Sequence, residues 1–132
     1  MKRLLAVLAG ALLSLAVHAA TPDFGDVAFA TYESDSGGFR VVFSNDTKAV
    51  KTWRNMNGGP VSGTYKKKGN EIDIQWDPEA KHHGSVSEKF RQTGPCALAR
   101  YVRVDRKGVM HDSQPQIYQR TKPRCDTVRV IK

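Results

Sequence analysis

Several residues of this 132-residue chain are of types that do chemistry. Ser34-Asp35-Ser36-Gly37-Gly38 has the lettering of a serine-nucleophile loop, with Ser36 in the attacking place. Such a loop works only beside a histidine base oriented by a carboxylate. The histidine that precedes it, His18, sits at the end of an apolar leader, and the same five residues are ordinary β-turn vocabulary. His82 and His83 are adjacent, so an extended chain points them to opposite sides. With Asp77, Glu79 or His111 they would make at most a weak transition-metal site, and a solvated loop is the expectation. Glu71 and Asp73 share a strand face, but it is the polar face opposite Ile72, Ile74 and Trp76. Glycoside hydrolysis would need two carboxyl groups across a cleft, one with a raised pKa. No catalytic residue, metal site or cofactor is expected, and the chain reads as a non-enzyme.

Charge carries more. The chain has 21 basic and 13 acidic side chains, a net charge of +8. Without Lys2 and Arg3 the net charge is +6, and it is uneven: Ala20 to Tyr65 holds four basic and five acidic residues, Lys66 to Lys132 fifteen and eight. A field of this sign favours anionic partners, or serves solubility alone. Arg100, Arg103, Arg106, Lys107, Arg120, Lys122 and Arg124 are the candidate anion-binding residues, interleaved with Phe90, Tyr101 and Tyr118. If those aromatics were exposed on neighbouring strands, the face could grip a phosphate-rich or single-stranded polymer. The competing reading puts Phe90 and Tyr118 in the core and makes the cations guards of strand edges. Lys66, Lys67 and Lys68 are a second candidate contact, for an acidic partner at a hairpin tip, and solvation alone accounts for them.

These residues must be positioned by the elements around them. Lys2 and Arg3, the apolar run from Leu4 to Val17 and the small residues after it have the layout of a secretory signal peptide, cut after Ala19 or Ala20. The run is too short for a membrane anchor. The expectation is a signal peptide over residues 1–20 and a single periplasmic or secreted domain over 21–132. Cys96 and Cys125 are the two cysteines. In an oxidising compartment an even pair reads as a bridge, the alternative being two buried thiols. The bridge would stabilise the fold by about 3 to 4 kcal/mol on a chain-entropy model.

Within the domain the dominant period is two and turn residues recur every eight to twelve positions, the signature of an all-β fold. Strands are expected at Val27 to Glu33, Phe39 to Ser44, Ala49 to Arg54, Val61 to Tyr65, Glu71 to Trp76, Val86 to Arg91, Cys96 to Val104, Gln116 to Arg120 and Thr127 to Lys132, with a short helix in Asp77 to Ser87 left open. Simple alternation along Cys96 to Val104 puts Arg100 and Arg103 on opposite faces. The fold class is a small antiparallel meander of 7–9 short strands, closed as a barrel, half-barrel or sandwich.

Gly63-Thr-Tyr-Lys-Lys-Lys-Gly-Asn-Glu-Ile-Asp-Ile-Gln-Trp76 is similar to the recurring hairpin of small bacterial secreted proteins with lipocalin-like β-meanders, and Ile117 to Arg120 resembles their closing strand. The resemblance implies architecture and transfers no functional residue. The function expected is a non-enzymatic binding protein for an anionic envelope component or small ligand. The alternative is an inhibitor or immunity-type protein that docks on another protein. Export makes nucleic acid the less expected partner.

Overall fold

Ile72, Ile74 and Trp76 alternate with Glu71, Asp73 and Gln75, so one face of this segment must find an apolar interior. In the computed structural model, which describes residues 22–54, 60–78, 85–112 and 114–125, the three are 1%, 0% and 3% exposed. The strands are β1 (Thr31–Ser34), β2 (Phe39–Phe43), β3 (Lys48–Trp53), β4 (Val61–Lys68), β5 (Glu71–Trp76), β6 (Ser87–Gly94), β7 (Ala97–Val104), β8 (Met110–His111) and β9 (Gln116–Lys122). β1 to β6 pair in chain order, β9 lies between β1 and β7, and β7 pairs back to β6. Eight antiparallel strands thus close a barrel, and β8 extends the far edge of β7 beyond the end of β9.

The interior is filled by side chains, as a barrel of this strand number allows. Phe43 stands edge-on between Tyr32 and Tyr65, with ring centroids 5.8 and 4.8 Å away. Phe90 and Tyr118 meet in the same way at 5.3 Å. Both are fully buried, so they belong to the core and offer no stacking face to a polymer. Tyr101 points outward, where the Arg91 guanidinium lies 4.6 Å from its ring centroid.

The fold departs from the simple alternation in two places. The strand expected from Val27 begins only at Thr31. Asp26 accepts the Ala28 N–H, Ala30 N–H donates to the Val27 carbonyl, and Phe29 adopts a φ of 67°, so the chain turns before it extends. In β7 the register against β6 shifts: Glu88 faces Arg103 and Lys89 faces Val102, but Phe90 faces Arg100. The extra residue, Tyr101, is a bulge. It brings Arg100 and Arg103 onto the same, inward face, which corrects their assignment to opposite faces. The strand expected at Thr127 to Lys132 lies outside the described residues, as does most of the loop from Asp77 to Ser87.

Topology gives the barrel two distinct ends. One carries the ends of β3 and β5 with Trp53 and Trp76, and the β7–β8 turn. The other carries the β4–β5 bend at Gly69-Asn70 and the Cys96–Cys125 disulfide, whose Cα atoms are 5.9 Å apart. The bridge ties the β6–β7 turn to the chain just beyond β9.

Gly63 is where β4 presses hardest on β5: a Cβ built there would lie 2.5 Å from the Gln75 carbonyl oxygen and 2.7 Å from Trp76 Cε3. Gly63→Ala is therefore expected to cost about 1 to 3 kcal/mol through forced displacement. Urea unfolding checks this, and an unchanged midpoint would mean that the two strands do not approach so closely.

Candidate functional site

Charged residues occupy inward positions at the tryptophan end. On β3 the inward set is Ala49, Lys51 and Trp53; on β6 it is Glu88, Phe90 and Gln92. Lys51 is 4% exposed and Glu88 0%. Burying either ion alone would be prohibitive, so each must be paired and hydrogen-bonded. Lys51 Nζ donates to Glu88 Oε1 at 2.6 Å, Trp76 Nε1 donates to the same oxygen at 2.8 Å, and Arg100 Nη1 donates to Oε2 at 2.8 Å. The Lys51 ammonium also lies 5.5, 5.9 and 5.6 Å from the ring centroids of Phe39, Trp53 and Trp76, within cation–π range.

The two ions pull against each other. Burial pushes the Glu88 carboxyl up, but Lys51 and Arg100 outweigh it and hold the group below its ordinary range. Burial draws the Lys51 ammonium down, Glu88 raises it again, and Arg100 and Arg103 add repulsion. Three donors converge on Glu88, so its ionised state is the better determined of the two. Lys51, Arg100 and Arg103 face one carboxylate, which leaves this inward cluster with more cations than anions.

The wall beside this cluster is interrupted next to β7. β7 pairs with β9 up to Arg100 and with β8 from Arg103, so the edge of Tyr101-Val102 has no ladder partner among the described residues. A slot of about 140 Å³ remains in the wall, lined by Arg100, Tyr101, Val102, Arg103, His111 and Gln114. Arg100 is committed to Glu88. Among the described residues no carboxylate pairs with Arg103. His111 Nε2 lies 2.9 Å from Asp105 Oδ2. That contact, with the Val109 and Lys107 N–H groups, pulls the Asp105 carboxyl down to about 2 and fixes the β7–β8 turn.

The structure divides the other basic candidates. Arg106 and Lys107 sit on the β7–β8 turn near the slot, whereas Lys122 and Arg124 lie at the disulfide end with Lys66, Lys67 and Lys68. Arg120 faces inward beside the Tyr32 hydroxyl. The lysine hairpin has a structural partner: Lys67 Nζ donates to Asp23 Oδ1 at 3.0 Å and to the Gly69 carbonyl at 2.6 Å. Asn70 donates to the Pro22 carbonyl and accepts the Phe24 N–H, and Gln92 donates to the Gly25 carbonyl, so residues 22–25 are strapped across this end. Glu71 is taken by Arg91 and Tyr101 on the outer wall. His82, His83 and Glu79 lie outside the described residues.

Sequence reasoning passed over Lys51, Glu88 and Gln114 and used His111 only as a distant metal ligand. The signal was there in alternation: Lys51 falls between Ala49 and Trp53, and Glu88 two residues before Phe90, both on inward phases of apolar strands. The chain matches no family model, no curated protein and no solved structure.

Glu88→Gln leaves Lys51 and Arg100 without a counter-charge and is expected to cost about 3 to 5 kcal/mol. Because the folded Glu88 pKa is depressed, its contribution is full above the ordinary glutamate value of about 4.3 and is lost as pH falls through the lower folded value. The gap in urea midpoint between wild type and Glu88→Gln should therefore be full at pH 7 and narrow steadily as pH falls below about 4.3. An unchanged midpoint at pH 7 would contradict the buried ion pair.

Proposed function

We propose that this is an exported, non-enzymatic binding protein that takes an anionic group of an envelope component or small ligand at the Arg100–Arg103–His111 slot. One observation carries the reading: Arg103 lines the slot with a guanidinium that has no carboxylate partner among the described residues, beside a buried cluster in which three cations face one carboxylate. A guanidinium fork lining a slot suits an oxyanion. The packed aromatic interior supports recognition at the wall rather than of an apolar ligand in the barrel centre. Export rests on the leader-like residues 1–20 and is compatible with the disulfide. On this reading the protein takes its place among small secreted lipocalin-like β-meander proteins.

A second reading, docking on an acidic protein as an inhibitor or immunity factor would, draws on the β7–β8 turn. There Val109 and Met110 are 51% and 62% exposed next to Arg106 and Lys107.

Acetate and inorganic phosphate titrations at low salt, followed by amide shifts, test the first reading. Saturable shifts should centre on Arg103, His111 and Gln114, weaken as salt rises, and vanish in Arg103→Glu but persist in Lys66→Glu/Lys68→Glu. Shifts centred on the lysine hairpin, or indifferent to Arg103→Glu, would overturn it.

A further inference from the structure

Among the described residues no carboxylate lines the slot, whereas two guanidinium groups and an amide do: Arg100, Arg103 and Gln114. A guanidinium carries five N–H donors and no acceptor, and the glutamine amide adds an NH₂ group. Arg100 gives Nη1 to Glu88 Oε2 at 2.8 Å, which leaves the rest of its fork for the slot that it borders. Arg103 has no carboxylate partner among the described residues. The other polar lining groups are engaged. His111 meets Asp105 Oδ2 through Nε2 at 2.9 Å, and the Tyr101 hydroxyl donates to Glu71 Oε2 at 3.0 Å.

Charge and size narrow the anion. Lys51 and Arg100 share Glu88, and Arg103 is close enough to repel the Lys51 ammonium, so three cations meet one carboxylate and an excess of two positive charges remains. Asp105, bonded to the His111 ring, takes back part of that excess. A carboxylate or a phosphate diester brings one negative charge and two terminal oxygens. A phosphate monoester brings about 1.5 to 2 negative charges at pH 7 and three acceptor oxygens, one for each of the three donor groups. The slot of about 140 Å³ holds roughly five water volumes at about 30 Å³ each. That suits the phosphorus and oxygens of one phosphate and leaves whatever it is attached to outside.

We infer that the slot takes a terminal phosphate monoester, with the Arg103 fork, the remaining N–H groups of Arg100 and the Gln114 amide on its three oxygens. The inference rests on the anion-binding reading above and adds the class of anion. A phosphate diester is a poorer match, because it is substituted on two sides and has one oxygen and nearly one charge fewer to offer the same donors.

The test is an amide-shift titration of the full exported domain with methyl phosphate, dimethyl phosphate and acetate, at constant ionic strength and well above the second phosphate pKa of about 6. Methyl phosphate should bind roughly tenfold tighter than either of the others, as one further hydrogen bond between charged groups would give. That preference should fall toward one in Arg103→Gln and be reduced in Gln114→Ala, a change at an exposed position that the fold does not depend on. Sedimentation with phosphatidylcholine vesicles carrying phosphatidic acid locates the monoester: co-sedimentation puts it on a lipid, and binding of methyl phosphate alone puts it on a soluble molecule. If dimethyl phosphate or acetate binds as tightly as methyl phosphate, the inference fails and the anion reading stands. A preference that survives Arg103→Gln would place the phosphate elsewhere and overturn the inference. If no anion gives saturable shifts, the anion reading itself fails.

Discussion

A single fully buried carboxylate, Glu88, organises one end of this barrel. Lys51 from β3, Trp76 from β5 and Arg100 from β7 reach it from three strands. None of these groups could be buried there alone, because each would forfeit hydration without compensation. The cluster therefore imposes a condition on the closure of the barrel: β3, β5, β6 and β7 must be in register before all four are satisfied together. The aromatic rings around Lys51 spread the cost, since their faces meet the ammonium where water would otherwise be.

The same condition gives the two ends of the barrel different characters. At the tryptophan end, cations outnumber the carboxylate they share, and the β7 bulge and the gap between β8 and β9 leave Arg103 facing a slot. At the disulfide end one lysine of the hairpin serves the structure. Lys67, Asn70 and Gln92 hold residues 22–25 across the barrel, and the bridge secures the chain beyond β9.

Much of the architecture was legible. Ile72, Ile74 and Trp76 announced a strand with one buried face, Gly69-Asn70 its bend, and Cys96 with Cys125 a bridge, because each rests on local rules of alternation, turn chemistry and compartment. The site was far less so. Arg100 and Arg103 lie three apart, and only the bulge at Tyr101, a property of pairing with β6, turns both inward. Lys51 and Glu88 are 37 positions apart in sequence, and nothing local marks either as an interior residue except the phase of its neighbours. For Phe90 and Tyr118 the core was the favoured reading over a binding face, and the closure of the barrel places both inside. Charge and alternation are read one strand at a time, whereas a binding slot is a property of which strands are neighbours.

The claim on which all of this rests is that Glu88 is ionised inside the barrel and held there by cations. A carbon-detected NMR titration of the Glu88 side-chain carboxyl measures it directly. The account predicts that the resonance stays at its carboxylate position well below the pH at which ordinary glutamates protonate. A carboxyl that takes up its proton at or above that ordinary pH would contradict it.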